Sequence, residues 1–167
     1  MATVLQINHA TLVVRDLDEG RAFYEGVLGL APLPTFNLDF PAQFYRINDH
    51  QQLHITEWED VYSFRGHICM QVDDFSALFY ALKQRDAIDV QPWGRVRRLP
   101  DGAMQLFARD PSGNLIEISC RADVPVDEAI FVDPLVEPGV SVYVSARNDA
   151  RGERGVGATL YHTAREA

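Results

Sequence analysis

The stretch HATLVVRD at residues 9–16 returns as HICMQVDD at residues 67–74, and this repetition decides the architecture. At an offset of 58, His9 falls on His67, Val14 on Val72 and Asp16 on Asp74. Each copy is an apolar run that reads as a strand, followed by an aspartate whose side chain can accept the orphan amides of a helix start. In the first copy Glu19 follows Asp16 at capping-box distance, Phe23, Val27 and Leu30 keep helical spacing, and Gly29 suits the stop. In the second, Phe75, Leu78, Phe79 and Leu82 form the apolar helix face.

Each helix is followed by further strands. After Pro32 and Pro34, strand-like runs at 43–48 and 52–58 flank the polar turn Asn48-Asp49-His50, with room for one strand more. The second half repeats this with runs at 96–99, 104–108 and 115–120. Its last strand, Ile116-Glu117-Ile118, matches Leu53-His54-Ile55 at an offset of 63, loops absorbing the difference. Two copies of one module are implied, over residues 5–60 and 64–121. Residues 122–167 form a C-terminal extension in which 140–144 read as an added strand covering a sheet edge or a dimer partner, followed by a charged, Gly-containing arm.

Strand parity sorts the side chains. Ala10, Leu12 and Val14 face one way, His9 and Thr11 the other; Ile68, Met70 and Val72 oppose His67, Cys69 and Gln71. Likewise His54 opposes Leu53 and Ile55, and Glu117 opposes Ile116 and Ile118. Sheets curving around a shared hollow therefore collect three imidazoles and a carboxylate, a donor set suited to Zn, Fe, Ni, Mn or Co. A divalent cation would also compensate the desolvation of Glu117 among apolar neighbours, which otherwise costs several kcal/mol. The structural alternative is a salt bridge from Glu117 to Arg95, Arg97, Arg98 or Arg121, and a single strand histidine is more often a hydrogen-bonded structural group. His9, His67 and Glu117 are the expected metal ligands. His54 is a fourth ligand or a proton carrier, and Glu117 and His54 are the candidate catalytic groups. His50 and His162 fall in a turn and the tail.

Bulk properties narrow the partners. A chain of 167 residues with 47% hydrophobic content fills a core of its own, and a net charge of −9 repels phosphate backbones and anionic membranes. The N-terminal residues lack a basic segment leading into a long apolar run, and no stretch of eighteen uncharged apolar residues occurs, so a cytoplasmic protein is expected. Cys69 and Cys120 suit reduced core thiols better than a disulfide.

The segments INHATLVVRDLDEGRAFYEGVLGL, RGHICMQVDD and ARDPSGNLIEIS together resemble the vicinal oxygen chelate superfamily, which includes glyoxalase I, extradiol dioxygenases, fosfomycin-modifying enzymes and bleomycin resistance proteins. The resemblance implies an α+β fold in which two βαβββ modules make an open, curved mixed β-sheet barrel with flanking helices. It implies a divalent metal held by His9, His67 and Glu117, and a small oxygenated substrate turned over by lyase or isomerase chemistry through a metal-chelated enolate. Glyoxalase I carries an acidic ligand at the place of His54, so this chain departs from it. Extradiol enzymes carry a His and a Tyr ahead of the Asp-Pro turn, where this chain has no His at 98–107 and Phe107 at the Tyr place. An Fe(II) extradiol-type dioxygenase and a metal-free binding or resistance protein are the alternatives. Relatives of this length commonly pair, which makes a homodimer the expectation, and in some of them His9 and His54 would belong to one subunit's share of the site, His67 and Glu117 to the other's.

Overall fold

The computed structural model describes residues 8–35, 40–61, 65–99, 101–140 and 161. The first half runs β1 (His9–Val14), α1 (Leu17–Tyr24), β2 (Ala31–Leu33), β3 (Ala42–Arg46) and β4 (Gln52–Glu57). The second runs β5 (His67–Gln71), α2 (Phe75–Gln84), β6 (Val96–Arg98), β7 (Met104–Arg109) and β8 (Leu115–Cys120), then a short 3-10 turn and β9 (Val136–Val140). The strand left open by the sequence is β2.

The strands form two mixed sheets, ordered β1-β4-β3-β2 and β5-β8-β7-β6-β9, with no closed barrel among the described residues. Both halves pair their first strand parallel to their last, with Thr11 opposite His54 and Cys69 opposite Glu117. One pairing therefore reproduces both sequence offsets at once. The antiparallel neighbour agrees, since Phe44 lies opposite His54 and Phe107 opposite Glu117.

Both helices start as the sequence dictates. Asp16 Oδ1 accepts the Glu19 amide and Asp74 Oδ1 the Ala77 amide, each at 2.9 Å. Glu57 adds a carboxylate at the start of α1, accepting the Leu17 amide at 2.7 Å. The first helix is shorter than its apolar spacing suggests, ending at Tyr24 before a turn through 25–28. There the Leu30 amide reaches back to the Tyr24 carbonyl at 2.9 Å, and Gly29 takes the φ of +67° that this closure needs. Phe75, Phe79 and Leu82 of α2 are fully buried, each contributing about 2 kcal/mol of transfer free energy.

The two sheets meet at the turn 110–114. Asn114 Nδ2 donates to the Val13 carbonyl at 2.6 Å and the Arg15 amide to Ser112 Oγ at 2.7 Å. Tyr24 donates its hydroxyl to Asp110 Oδ2 at 3.0 Å. Asp110, only 4% exposed, also accepts from the amides of Ser112 and Asn114 and from Asn114 Nδ2, so this buried carboxylate is fully hydrogen-bonded. It ties the end of β1 and α1 to the start of β8.

Strand β9 pairs parallel with β6 and so extends the second sheet by one strand at that edge. It lies earlier in the chain than the 140–144 run, of which 141–144 are outside the described residues.

Candidate metal centre

The polar face of each sheet is set by its first and last strands. In β5 the exposed residues are His67, Cys69 and Gln71, alternating with half-buried Ile68 and Met70; in β1 His9 and Thr11 are exposed. This corrects one expectation, since Cys69 belongs to the polar face and only Cys120 is a core thiol. Strand β8 is buried along both faces, leaving Glu117 4% exposed.

Glu117 is held from two sides. Gln105 Nε2 donates to Oε1 at 2.6 Å, and His67 Nε2 lies 2.9 Å from Oε2. The opposite ring nitrogen, Nδ1 of His67, is 2.8 Å from the Arg65 carbonyl, which can only accept, so Nδ1 carries the ring proton. In the neutral ring, Nε2 then turns a lone pair toward a carboxylate, and the two acceptors need a proton or a cation between them. Two donors about 2.1 Å from one ion at right angles stand about 3 Å apart, which is the spacing seen here. Trp93 and Phe107 flank His67 edge-on, with ring centroids 5.8 and 5.1 Å away. The Arg65 guanidinium lies 5.4 Å over the Trp93 ring.

His9 and His54 make a second pair. Their rings stack with centroids 4.4 Å apart, and Phe44 stacks on the other face of His54 at 3.6 Å. His9 Nδ1 is 2.9 Å from Asn8 Oδ1, leaving Nε2 as its available donor, the same tautomer as His67. His54 differs: its Nε2 is engaged by Gln52 Oε1 at 2.9 Å. Burial, and then the neighbouring His9, lower the His54 pKa below the usual imidazole value, which keeps the ring neutral near pH 7.

The structure thus groups the four residues as two pairs, one on each sheet. Among the described residues no three His, Cys, Asp or Glu side chains come together as a metal cage within one chain. In donor chemistry the two pairs, imidazole with imidazole and imidazole with carboxylate, are of types that suit a divalent ion. His50 sits exposed in its turn, and His162 lies outside the described residues.

Other groups share the Glu117 face. The Cys69 thiol is hydrogen-bonded to Glu117 and Ser119; although the residue as a whole is exposed, desolvation of its inward-facing thiol, reinforced by the Glu117 charge, pushes its pKa up to about 12. Tyr161 returns from the extension to this face, its hydroxyl bonded to Ser119 Oγ. Arg97 is buried on β6, its guanidinium donating to the carbonyls of Arg95 and Trp93. Sequence reasoning named Phe107 but missed Trp93 and Tyr161, for which no strand parity existed to place them. A cleft of about 380 Å³ between Arg98, Arg121 and Phe131 lies near the opposite end of β8 from His67.

Comparison with known proteins agrees with this fold. A lactoylglutathione lyase from Agrobacterium tumefaciens superposes with a TM-score of 0.53 at 23% identity, over 69% of this chain and 92% of its own. The fosfomycin resistance protein FosX from Listeria monocytogenes gives 0.58 at 17% identity, over 71% and 94%. A virulence protein from Salmonella typhimurium gives 0.50 at 26% identity, over 72% and 99%. A comparison with curated protein sequences finds no match. The profile of the Glyoxalase/Bleomycin resistance protein/Dioxygenase superfamily matches residues 6–118, and the chain belongs to that superfamily.

Proposed function

We propose that the chain is a divalent-metal enzyme acting on a small oxygenated molecule by lyase or isomerase chemistry, with its metal centre assembled from two copies. His9 and His54 of one copy face His67 and Glu117 of the other. The observation that carries this reading is the His67–Glu117 contact, in which Nδ1 is fixed as the protonated nitrogen and Nε2 faces a carboxylate oxygen at 2.9 Å.

When bound, the ion, whether Zn, Fe, Ni, Mn or Co, supplies Lewis acidity for the negative charge that develops on substrate oxygens. The chain's own residues supply the rest. Gln105 fixes the carboxylate plane of Glu117 through Oε1, leaving Oε2 directed at His67. Trp93 and Phe107 pack edge-on against the His67 ring and hold it in place beside Glu117. His54, held neutral, is available as a base or as a donor. Phe107 supplies no hydroxyl beside His67, which argues against ring-cleaving dioxygenase chemistry. Among the described residues no helix is long and apolar enough to cross a membrane, and both cysteines are free; a cytoplasmic location fits.

The test is elemental analysis and light scattering on purified wild type, His67→Ala and Glu117→Gln. Near-stoichiometric metal in a wild-type dimer, lost from both variants, supports the reading. Metal retained in both variants, or no metal in wild type reconstituted with each candidate ion, rejects it in favour of a metal-free binding protein.

A further inference from the structure

Tyr161, a residue of the extension beyond the family match, meets the same sheet face as Glu117. The solved relatives above are covered over 92–99% of their length by about 70% of this chain, and the family profile stops at residue 118. Tyr161 is therefore an addition to the shared frame. Its hydroxyl meets Ser119 Oγ, Ser119 is hydrogen-bonded to Cys69, and Cys69 to Glu117. The Arg121 guanidinium lies 5.8 Å over the Tyr161 ring and pairs with Asp123 at 3.3 Å.

Glu117 and Ser119 share one face of β8, and Arg121 follows just past the end of the strand with its guanidinium over the Tyr161 ring. Ser119 follows Glu117 by two residues, which at a strand rise of about 3.3 Å per residue sets the Ser119–Tyr161 pair roughly 7 Å from the carboxylate. The face thus offers hydroxyl donors and a guanidinium at one end, and the His67–Glu117 pair at the other.

We propose that Ser119, Tyr161 and Arg121 form a second polar subsite, with Tyr161 the ligand-contacting residue that the extension adds, selecting ligands that carry an anionic oxygen group about 7 Å from their chelating oxygens. This rests on the metal-centre reading above. A phenol O–H and a guanidinium favour a carboxylate there over a neutral group, because charge-assisted hydrogen bonds are about twice as strong as neutral ones.

The experiment is calorimetric titration of the zinc-loaded protein with two probes. Acetohydroxamate is a bare bidentate oxygen donor; the monohydroxamate of glutaric acid adds a carboxylate on an arm that reaches the subsite. Wild type is expected to bind the second about tenfold more tightly than the first. Tyr161→Phe, which keeps the ring, is expected to lose most of that gain while its zinc content and acetohydroxamate affinity stay at wild-type values. Equal binding of the two probes by wild type, or a gain undiminished in Tyr161→Phe, overturns the subsite alone. Failure to retain zinc, or to bind acetohydroxamate at all, overturns the metal centre and the subsite with it.

Discussion

His67 Nε2 stands 2.9 Å from Glu117 Oε2 while His67 Nδ1 is committed to the Arg65 carbonyl, so a single ring couples a main-chain acceptor to a buried acid. Replacing Glu117 with Gln removes the charge but keeps the shape. Zinc affinity should fall at least 100-fold, whereas the metal-free protein should change in unfolding free energy by no more than about 1 kcal/mol. Titration with a zinc indicator and chemical denaturation of the metal-free form measure the two effects separately.

Mixing variants tests how the halves combine. His9→Ala and Glu117→Gln each damage a different pair, so refolding them together should give mixed dimers in which one centre carries both defects and the other carries none. Zinc content of the mixture should exceed that of either variant alone. A mixture no better than the average of its parts would place all ligands within one chain.

His54 lies between the rings of Phe44 and His9, which makes it a stacking partner as well as a candidate ligand. His54→Phe preserves the stack and removes the nitrogens; His54→Ala removes both. Loss of the two ring contacts should cost the Ala variant about 1 to 3 kcal/mol beyond the Phe variant in the metal-free state. Zinc stoichiometry of the Phe variant then reports ligation on its own: a drop of tenfold or more in affinity identifies His54 as a donor, and wild-type affinity identifies it as a platform for His9.

Ion removal should also be visible in stability. A ligand present at 100 times its dissociation constant stabilises the folded state by about 2.7 kcal/mol, so chelation of wild type should lower its melting temperature measurably while leaving Glu117→Gln unchanged.

At the joint between the sheets, Tyr24 is buried and bonded to Asp110, and burial first, then the Asp110 charge, hold its phenol well above the usual value near 10. Burial and Glu25 raise Tyr45 in the same way. In the unfolded chain both lose their protons near pH 10, so above that the unfolded state binds fewer protons and stability falls as pH rises. Below pH 10 the contribution is fully present. Tyr24→Phe should cost about 1 to 3 kcal/mol at pH 7 and flatten the alkaline decline, read as melting temperature between pH 8 and 11.

Much of this was written in the chain. The alternation around His9, His67, His54 and Glu117 predicted their faces, and the two offsets predicted which strands of the two halves are equivalent, because strand parity and module repetition are local properties; which strands pair was not legible. The turn DPSGN was legible as a turn, with Gly113 at a φ of +90°, but not as the joint between sheets. Asp110 acquires that role only when Tyr24, 86 residues away, folds against it. The early end of α1 was hidden because Val27 and Leu30 stay partly buried against the core after the helix has stopped. Tyr161 could not be placed because it sits on no periodic element. The division of the four site residues into pairs was beyond parity, which gives a face but not a distance.

Positions 54 and 117 occupy equivalent places in the two halves, each opposite a phenylalanine of the antiparallel neighbour. One copy now bears an imidazole there and the other a carboxylate. In the two-copy centre proposed above, that difference lets the imidazoles of one copy meet the carboxylate of the other, where identical halves would have brought together only carboxylates or only imidazoles.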